Sequence, residues 1–273
     1  MLTAPRALPE FLMCRPAYYR IAYVINPWMS LERQANNKRA IQQWERLYAV
    51  LAKELKVKIR LLPPHRSVPD LVFTANAGLV RNKLFIRSNF RFPQRKKEQP
   101  YITRYFRQSK YRVTVLNPLY GFEGEGDALW VRDTLVFGFH FRSDAPAHQE
   151  LAALLKTEVL PVELIDRRFY HLDTCFCPLN GDCALWFPAA FDSYSRQVLK
   201  QLIPDLIAVS EKDAVRFACN AIAVGSQLVV QAGLSFALKK QLARRGFALH
   251  PVDLSEFLKA GGSAKCLVLN LHR

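Results

Sequence analysis

The chain has 273 residues, half of them hydrophobic, a net charge of +16 and a pI near 9.8. That length supports one sizeable core in a single domain, and no apolar run approaches the roughly 18 residues of a membrane span. The N-terminal stretch MLTAPRALPEFLMCRP has no apolar block followed by a small-residue cleavage site, so no signal peptide is expected and the protein reads as cytoplasmic.

Taken in order, residues 12–15 and 21–26 read as short strands, and Pro27 bars continuation of the second. Ser30 is a candidate N-cap for a helix over 31–55, whose apolar positions 41, 44, 47, 48, 51 and 55 follow helical spacing. Val57, Ile59 and Leu61 alternate as a strand that Pro63-Pro64 stops. A similar order then recurs. LVFTANAGLV and KLFIRS flank the turn Arg81-Asn82-Lys83, a helix over about 97–109 follows, and YRVTVL returns as a strand. DALWV and LVFGFHF lead to a helix near 147–156 and VLPVELI; HLDTCFCPL and CALWFP lead to a helix near 192–202. CNAIAVG and LVVQ lead to a helix near 235–245 and FALHPV, before SEFLKAG and the last strand, KCLVLNL.

The first strands of these units begin near 71, 127, 171, 219 and 266, at intervals of 44 to 56 residues. Such ββαβ units, with no long structureless linker, predict one ring-like α/β domain over 1–273. Short hairpin turns require antiparallel pairs, which disfavours an open doubly wound sheet, and no glycine-rich phosphate loop is present.

The charge is densest in 91–112, RFPQRKKEQPYITRYFRQSKYR, with eight Lys/Arg and five aromatics. That could be a phosphate-tracking surface with stacking rings, but a helix with aromatics on the core and cations in solvent is favoured. Nucleic acid is therefore not the expected partner. The cysteines at 14, 175, 177, 183, 219 and 266 show no CxxC spacing, so buried thiols are favoured over a metal site.

In extended chain, YHLDT places His171 and Asp173 on one face and Leu172 on the other. Alone, that pattern fits a satisfied core histidine better than catalysis. Other repeat starts also carry polar residues: Asp70 and Asn76, Glu123 and Asp127, Asn220, and finally Cys266. Each has an ordinary structural explanation, but equivalent strand ends of a ring converge on its axis. A thiolate there, an imidazole to carry protons and carboxylates to grip a planar cation match a guanidinium substrate with an electrophilic carbon.

FTAN, FEGEGD, HLDT and a cysteine in GGSAKCL resemble the guanidino-group-modifying, or amidinotransferase, superfamily, whose pentein fold is a five-bladed ββαβ propeller. MCRPAYY, VINPWM, RFYHLDTCFCPL, FDSYS and FACNA extend the likeness, which is greatest to ornithine-forming arginine dihydrolases. The resemblance implies Cys266 as nucleophile, His171 as general acid/base, and Glu123 and Asp173 as guanidinium-holding acids. It implies that Arg142 and Arg95 bind the substrate carboxylate and that Asn26, Phe73 and Asp127 line the pocket. Asn76 stands where many arginine deiminases carry an aspartate, and the resemblance associates it with the second hydrolysis.

The expected activity is conversion of arginine to ornithine, ammonia and carbon dioxide, with no cofactor or metal. A deiminase stopping at citrulline, an amidinotransferase, a dimethylarginine hydrolase and a basic polyanion-binding module remain alternatives, and a homo-oligomer is left open. Some dihydrolases carry a fused ornithine-cyclodeaminase-like domain; the sequence ends seven residues after Cys266, so that activity is not expected here.

Overall fold

In the computed structural model, which describes residues 9–271, the recurring hairpins become units of one closed ring. The strands are β1 (Glu10–Cys14), β2 (Lys58–Leu62), β3 (Gly78–Arg81), β4 (Leu84–Arg87) and β5 (Arg112–Val115). β6 (Ala128–Val131), β7 (Thr134–Phe139), β8 (Val159–Glu163), β9 (Phe176–Pro178) and β10 (Cys183–Trp186) follow. The last are β11 (Asp205–Ala208), β12 (Ile222–Val224), β13 (Gln227–Gln231), β14 (Ala248–Val252) and β15 (Leu269–Asn270).

Among the described residues these strands form five three-stranded sheets. In β3-β4-β5, β6-β7-β8, β9-β10-β11 and β12-β13-β14, an antiparallel hairpin is joined by a parallel third strand. A parallel return needs a crossover, supplied by helices Gln99–Gln108, Ala147–Leu155, Ser193–Leu202 and Phe236–Arg244. The remaining sheet is assembled from both halves of the chain. β1 pairs antiparallel with β15, Leu12 opposite Leu269, and parallel with β2 beyond helix Asn37–Ala49. The ring is thus a five-bladed pentein propeller, fastened by its first and last strands.

Local differences from the sequence reading have identifiable causes. Asn36, not Ser30, caps the first long helix: its side chain accepts from the Arg39 amide at 3.0 Å, and its own amide donates to Glu256 at 2.7 Å. A tertiary partner thus fixes the start that local propensity placed earlier. The helix ends at Ala49 and widens into a π-helical turn over Val50–Glu54. Residues 21–26 form no strand. In 91–112, Ile102 and Phe106 face inward, Phe106 stacking on Phe85, while Lys96, Lys97, Arg104, Arg107, Lys110 and Arg112 are exposed. Arg95 is the exception; it is buried.

Candidate active site

Four of the five blades are entered through a tight 3-10 turn: Thr74–Ala77 before β3, Gly124–Gly126 before β6, Leu172–Thr174 before β9 and Lys265–Leu267 before β15. The fifth entry, ahead of β12, turns at Phe217, whose carbonyl accepts from the Asn220 amide at 3.0 Å. These turns converge, and the polar residues of the sequence sit on them. His171 is extended, but Asp173 already lies in the turn, so strand alternation does not bring the two together; turn geometry does. Gly124 has φ +61°, the left-handed region that suits glycine.

Cys266 occupies the last turn. Asp173 accepts a hydrogen bond from its Sγ at 3.3 Å, and Asn220 Nδ2 donates to the same sulfur at 3.1 Å. Asn220 also ties Asp173 in place through its carbonyl at 2.9 Å, while its Oδ1 accepts the amides of Ser263 and Cys266 at 3.0 and 3.1 Å. One buried amide therefore fixes both the thiol and the carboxylate beside it. Burial, then the neighbouring Asp173, hold the Cys266 thiol well above its ordinary pKa, so the site favours a thiol over a thiolate. Burial pushes Asp173 up to about 6, against the pull of Lys265. Asp173 Oδ1 is buried without a hydrogen-bond partner.

His171 lies across from this pair. Its Nε2 is 2.8 Å from Glu123 Oε2, which also accepts from Arg142 Nη1 at 3.1 Å, while Oε1 accepts the Arg91 amide at 3.1 Å. A carboxylate at Nε2 places the proton on that nitrogen and leaves Nδ1 as the acceptor of the neutral ring. Burial depresses the imidazole to about 4 despite Glu123, so it is neutral near pH 7. Burial alone would raise Glu123, but Arg142 and then His171 hold it well below the carboxylate range. Glu123 is therefore engaged by two side chains of the protein itself.

A small pocket with room for about one water, near 10 Å³, lies over Cys266. Asn26, Phe73, Asn76, Arg95 and Arg142 line it, as does Asp70. Asn26 bridges its covering segment to the Ala260 carbonyl at 3.0 Å. Arg142 stacks on Tyr170 and Phe92 at 4.4 and 4.8 Å and donates to the Ile25 carbonyl at 2.9 Å. Arg95 grips Glu98 with Nε and Nη2 at 2.7 and 2.9 Å and donates from Nη1 to Asn76 Oδ1 at 2.7 Å. Burial opposes that charge, but Glu98 holds the guanidinium above its ordinary range. Asp70 accepts from the Tyr23 hydroxyl at 2.8 Å.

Asp127 is not among the residues lining this small pocket, and neither are Glu123, His171 and Asp173. Asp127 stands behind it, accepting Ser143 Oγ at 2.6 Å and the Leu172 amide at 3.1 Å, and so braces the His171 turn and the Arg142 segment. Motif reading also passed over Glu98, Tyr170 and Ser143. Tyr170, adjacent to His171, donates to the Gly261 carbonyl at 2.8 Å; Glu98 is hidden in a run that reads as surface charge.

A wide chamber of about 790 Å³ opens at the hairpin end, lined by the turns at Arg132, Gly181 and Gly225. Its wall includes the part-buried pair of Lys265 and Glu125, 2.8 Å apart.

Comparison with known proteins agrees with this architecture. Residues 13–273 match the family model of eukaryotic N,N dimethylarginine dimethylhydrolase. The bifunctional arginine dihydrolase/ornithine cyclodeaminase ArgZ of Synechocystis is 44% identical over 267 residues, covering 96% of this chain but 37% of that protein. The chain thus spans little more than a third of this bifunctional relative. The N(G),N(G)-dimethylarginine dimethylaminohydrolase of Mycobacterium tuberculosis is 37% identical, covering 96% of this chain and 86% of that one. A substrate-bound mutant of the ArgZ N-terminal domain, an arginine dihydrolase of cyanobacteria, superposes with a TM-score of 0.93 at 43% identity, covering 97% of this chain and 98% of that chain.

Proposed function

The chain belongs to the N,N-dimethylarginine dimethylhydrolase family, and from that premise we propose that it hydrolyses arginine through a covalent Cys266 intermediate to ornithine, two ammonia and carbon dioxide. The observation that carries this reading is the meeting of Cys266 with Asp173 at 3.3 Å beside a buried Asn76 whose Nδ2 has no protein partner.

A substrate guanidinium brings a cation to Asp173. Asp173 Oδ1 offers it an unpaired acceptor, and its charge beside Sγ favours the thiolate. The thiol proton passes to neutral His171, and the thiolate attacks the central carbon. The resulting imidazolium protonates one departing amino group, leaving as ammonia, and the carbon stays bonded to sulfur. His171 then takes a proton from water, whose oxygen adds to the carbon as the C–S bond breaks; the product is a ureido group. A second attack at that carbon expels the second ammonia, and hydrolysis of the thiocarbamate leaves a carbamate that loses carbon dioxide. Two waters are consumed for two ammonia and one carbon dioxide. Asp70, Arg95 and Arg142 supply the opposite charges for the α-amino and α-carboxylate groups. Arg95 has already committed most of its N–H groups, so Arg142 is the stronger carboxylate ligand. Arginine enters only if the covering Ile25–Met29 segment shifts, since the pocket holds little more than a water.

Product analysis tests the reading. Arginine should give ornithine with two ammonia per turnover; citrulline with one would assign a deiminase. The family match supports a second reading, release of dimethylamine from N,N-dimethylarginine, which the same assay measures. Dependence on an added amine acceptor would indicate amidino transfer, and no turnover of any guanidino compound would overturn all of these.

A further inference from the structure

Glu98 touches no pocket and belongs to no motif, yet it is 2% exposed and spends both oxygens on one guanidinium. We propose that Glu98 is a positioning residue for the second hydrolysis: through Arg95 it fixes which way the Asn76 amide faces and so presents a donor, not an acceptor, to the ureido oxygen. The inference rests on the dihydrolase reading above.

The chain of contacts has one polarity. Glu98 takes Nε and Nη2 of Arg95, and Nη2 also donates to the Asp70 carbonyl at 3.3 Å. Arg95 Nη1 is thereby turned to Asn76, where it donates to Oδ1 at 2.7 Å. Flipping the amide would set NH₂ against a guanidinium N–H, donor against donor, so the orientation is locked. Nδ2 must point the other way. It is buried without a protein partner, and a Cβ on Gly126 would collide with it and crowd the His171 ring. A buried unsatisfied donor is costly, and a ligand that accepts relieves that cost.

Arginine has no acceptor at its guanidinium carbon. The ureido product of the first hydrolysis does: its carbonyl oxygen. Nδ2 therefore binds the intermediate preferentially and retains it for the second attack, where the same oxygen gains negative charge. Without Glu98, Arg95 loses its anchor, the amide can flip, and the intermediate departs.

The test is the ornithine-to-citrulline ratio from arginine in wild type, Glu98→Gln and Glu98→Asp, with thermal melting to establish folding. Gln replaces one acceptor with a donor facing Arg95; Asp keeps the charge on a shorter arm and serves if the Gln variant does not fold. The citrulline share should rise at least tenfold in Glu98→Gln and less in Glu98→Asp. kcat/KM for added citrulline should fall at least tenfold further than that for arginine. Asn76→Asp should release citrulline as well, and adding Glu98→Gln to it should shift the ratio no further, because the amide polarity it sets is already gone. Equal loss of both steps, with an unchanged ratio in a folded variant, would show a merely structural role and overturn the proposal. Wild type that releases only citrulline would overturn the dihydrolase reading itself; wild type forming ornithine with an unmoved ratio would overturn the Glu98 assignment alone.

Discussion

The two ends of the ring have opposite characters. At the turn end the pocket is small, and the charges around it are already paired: Glu123 serves His171 and Arg142, and Arg95 serves Glu98 and Asn76. At the hairpin end a chamber of about 790 Å³ stands open, and its cations include Arg132, in an exposed ion pair with Asp182, and Arg245, held by Asp205. The Lys265–Glu125 pair belongs to the chamber wall, yet Lys265 precedes Cys266 directly in the chain. Cavity volume is thus no guide to chemistry here. The desolvated, opposed charges gather around a space the size of a water.

The largest expected contrast is between thiols. Cys266→Ser should lower kcat for arginine by on the order of 10⁴-fold or more, whereas Cys177→Ala, in the chamber wall, should leave it within about twofold; steady-state kinetics would break the comparison if the two responded alike. A second contrast is in stability. Lys265→Met leaves the buried Glu125 with the Asn270 amide as its remaining donor and should cost about 1–3 kcal/mol, while Arg132→Ala removes an exposed pair and should cost at most about 1 kcal/mol; denaturant melts measure both. Third, Arg142→Ala should raise KM for arginine about 10- to 100-fold, the worth of a charged hydrogen bond, and raise that for agmatine, which lacks a carboxylate, much less. Equal effects would make Arg142 a brace for Glu123. The smallest effect is in pH. Asp173 has its pKa raised to about 6, so it gains a proton and loses its hold on the guanidinium as pH falls through that value. kcat/KM should then drop up to about tenfold per unit below pH 6, with a plateau above it; a flat profile down to pH 5 would remove Asp173 from the grip.

Much of this was legible in the chain. The hairpin turn at 81–83, the paired apolar runs of the later units and the helices after them marked the repeat, because tight turns and helical periodicity are local signals. The polar residues of the blade entries were legible by position. Their geometry was not: YHLDT looks extended, and only the fold shows the turn at Leu172–Thr174. Asn36 took the cap from Ser30 because Glu256, 220 residues away, binds its amide. Arg95 and Glu98 sit in QRKKEQ, which reads as solvated charge; the break between helices Pro93–Lys96 and Gln99–Gln108 turns both inward. Asp127 was placed in the pocket on resemblance, but its oxygens are consumed by Ser143 and the Leu172 amide.

The fastening of the ring by β15 against β1 reaches further than stability. Thr74 Oγ1 lies 2.9 Å from both the Leu12 and Leu267 carbonyls, so the clasp strand β1, the Asn76 turn and the Cys266 turn share one hydroxyl. Loosening β15 from β1 would therefore disturb the Asn76 and Cys266 turns together, although the two residues lie 190 positions apart in the chain.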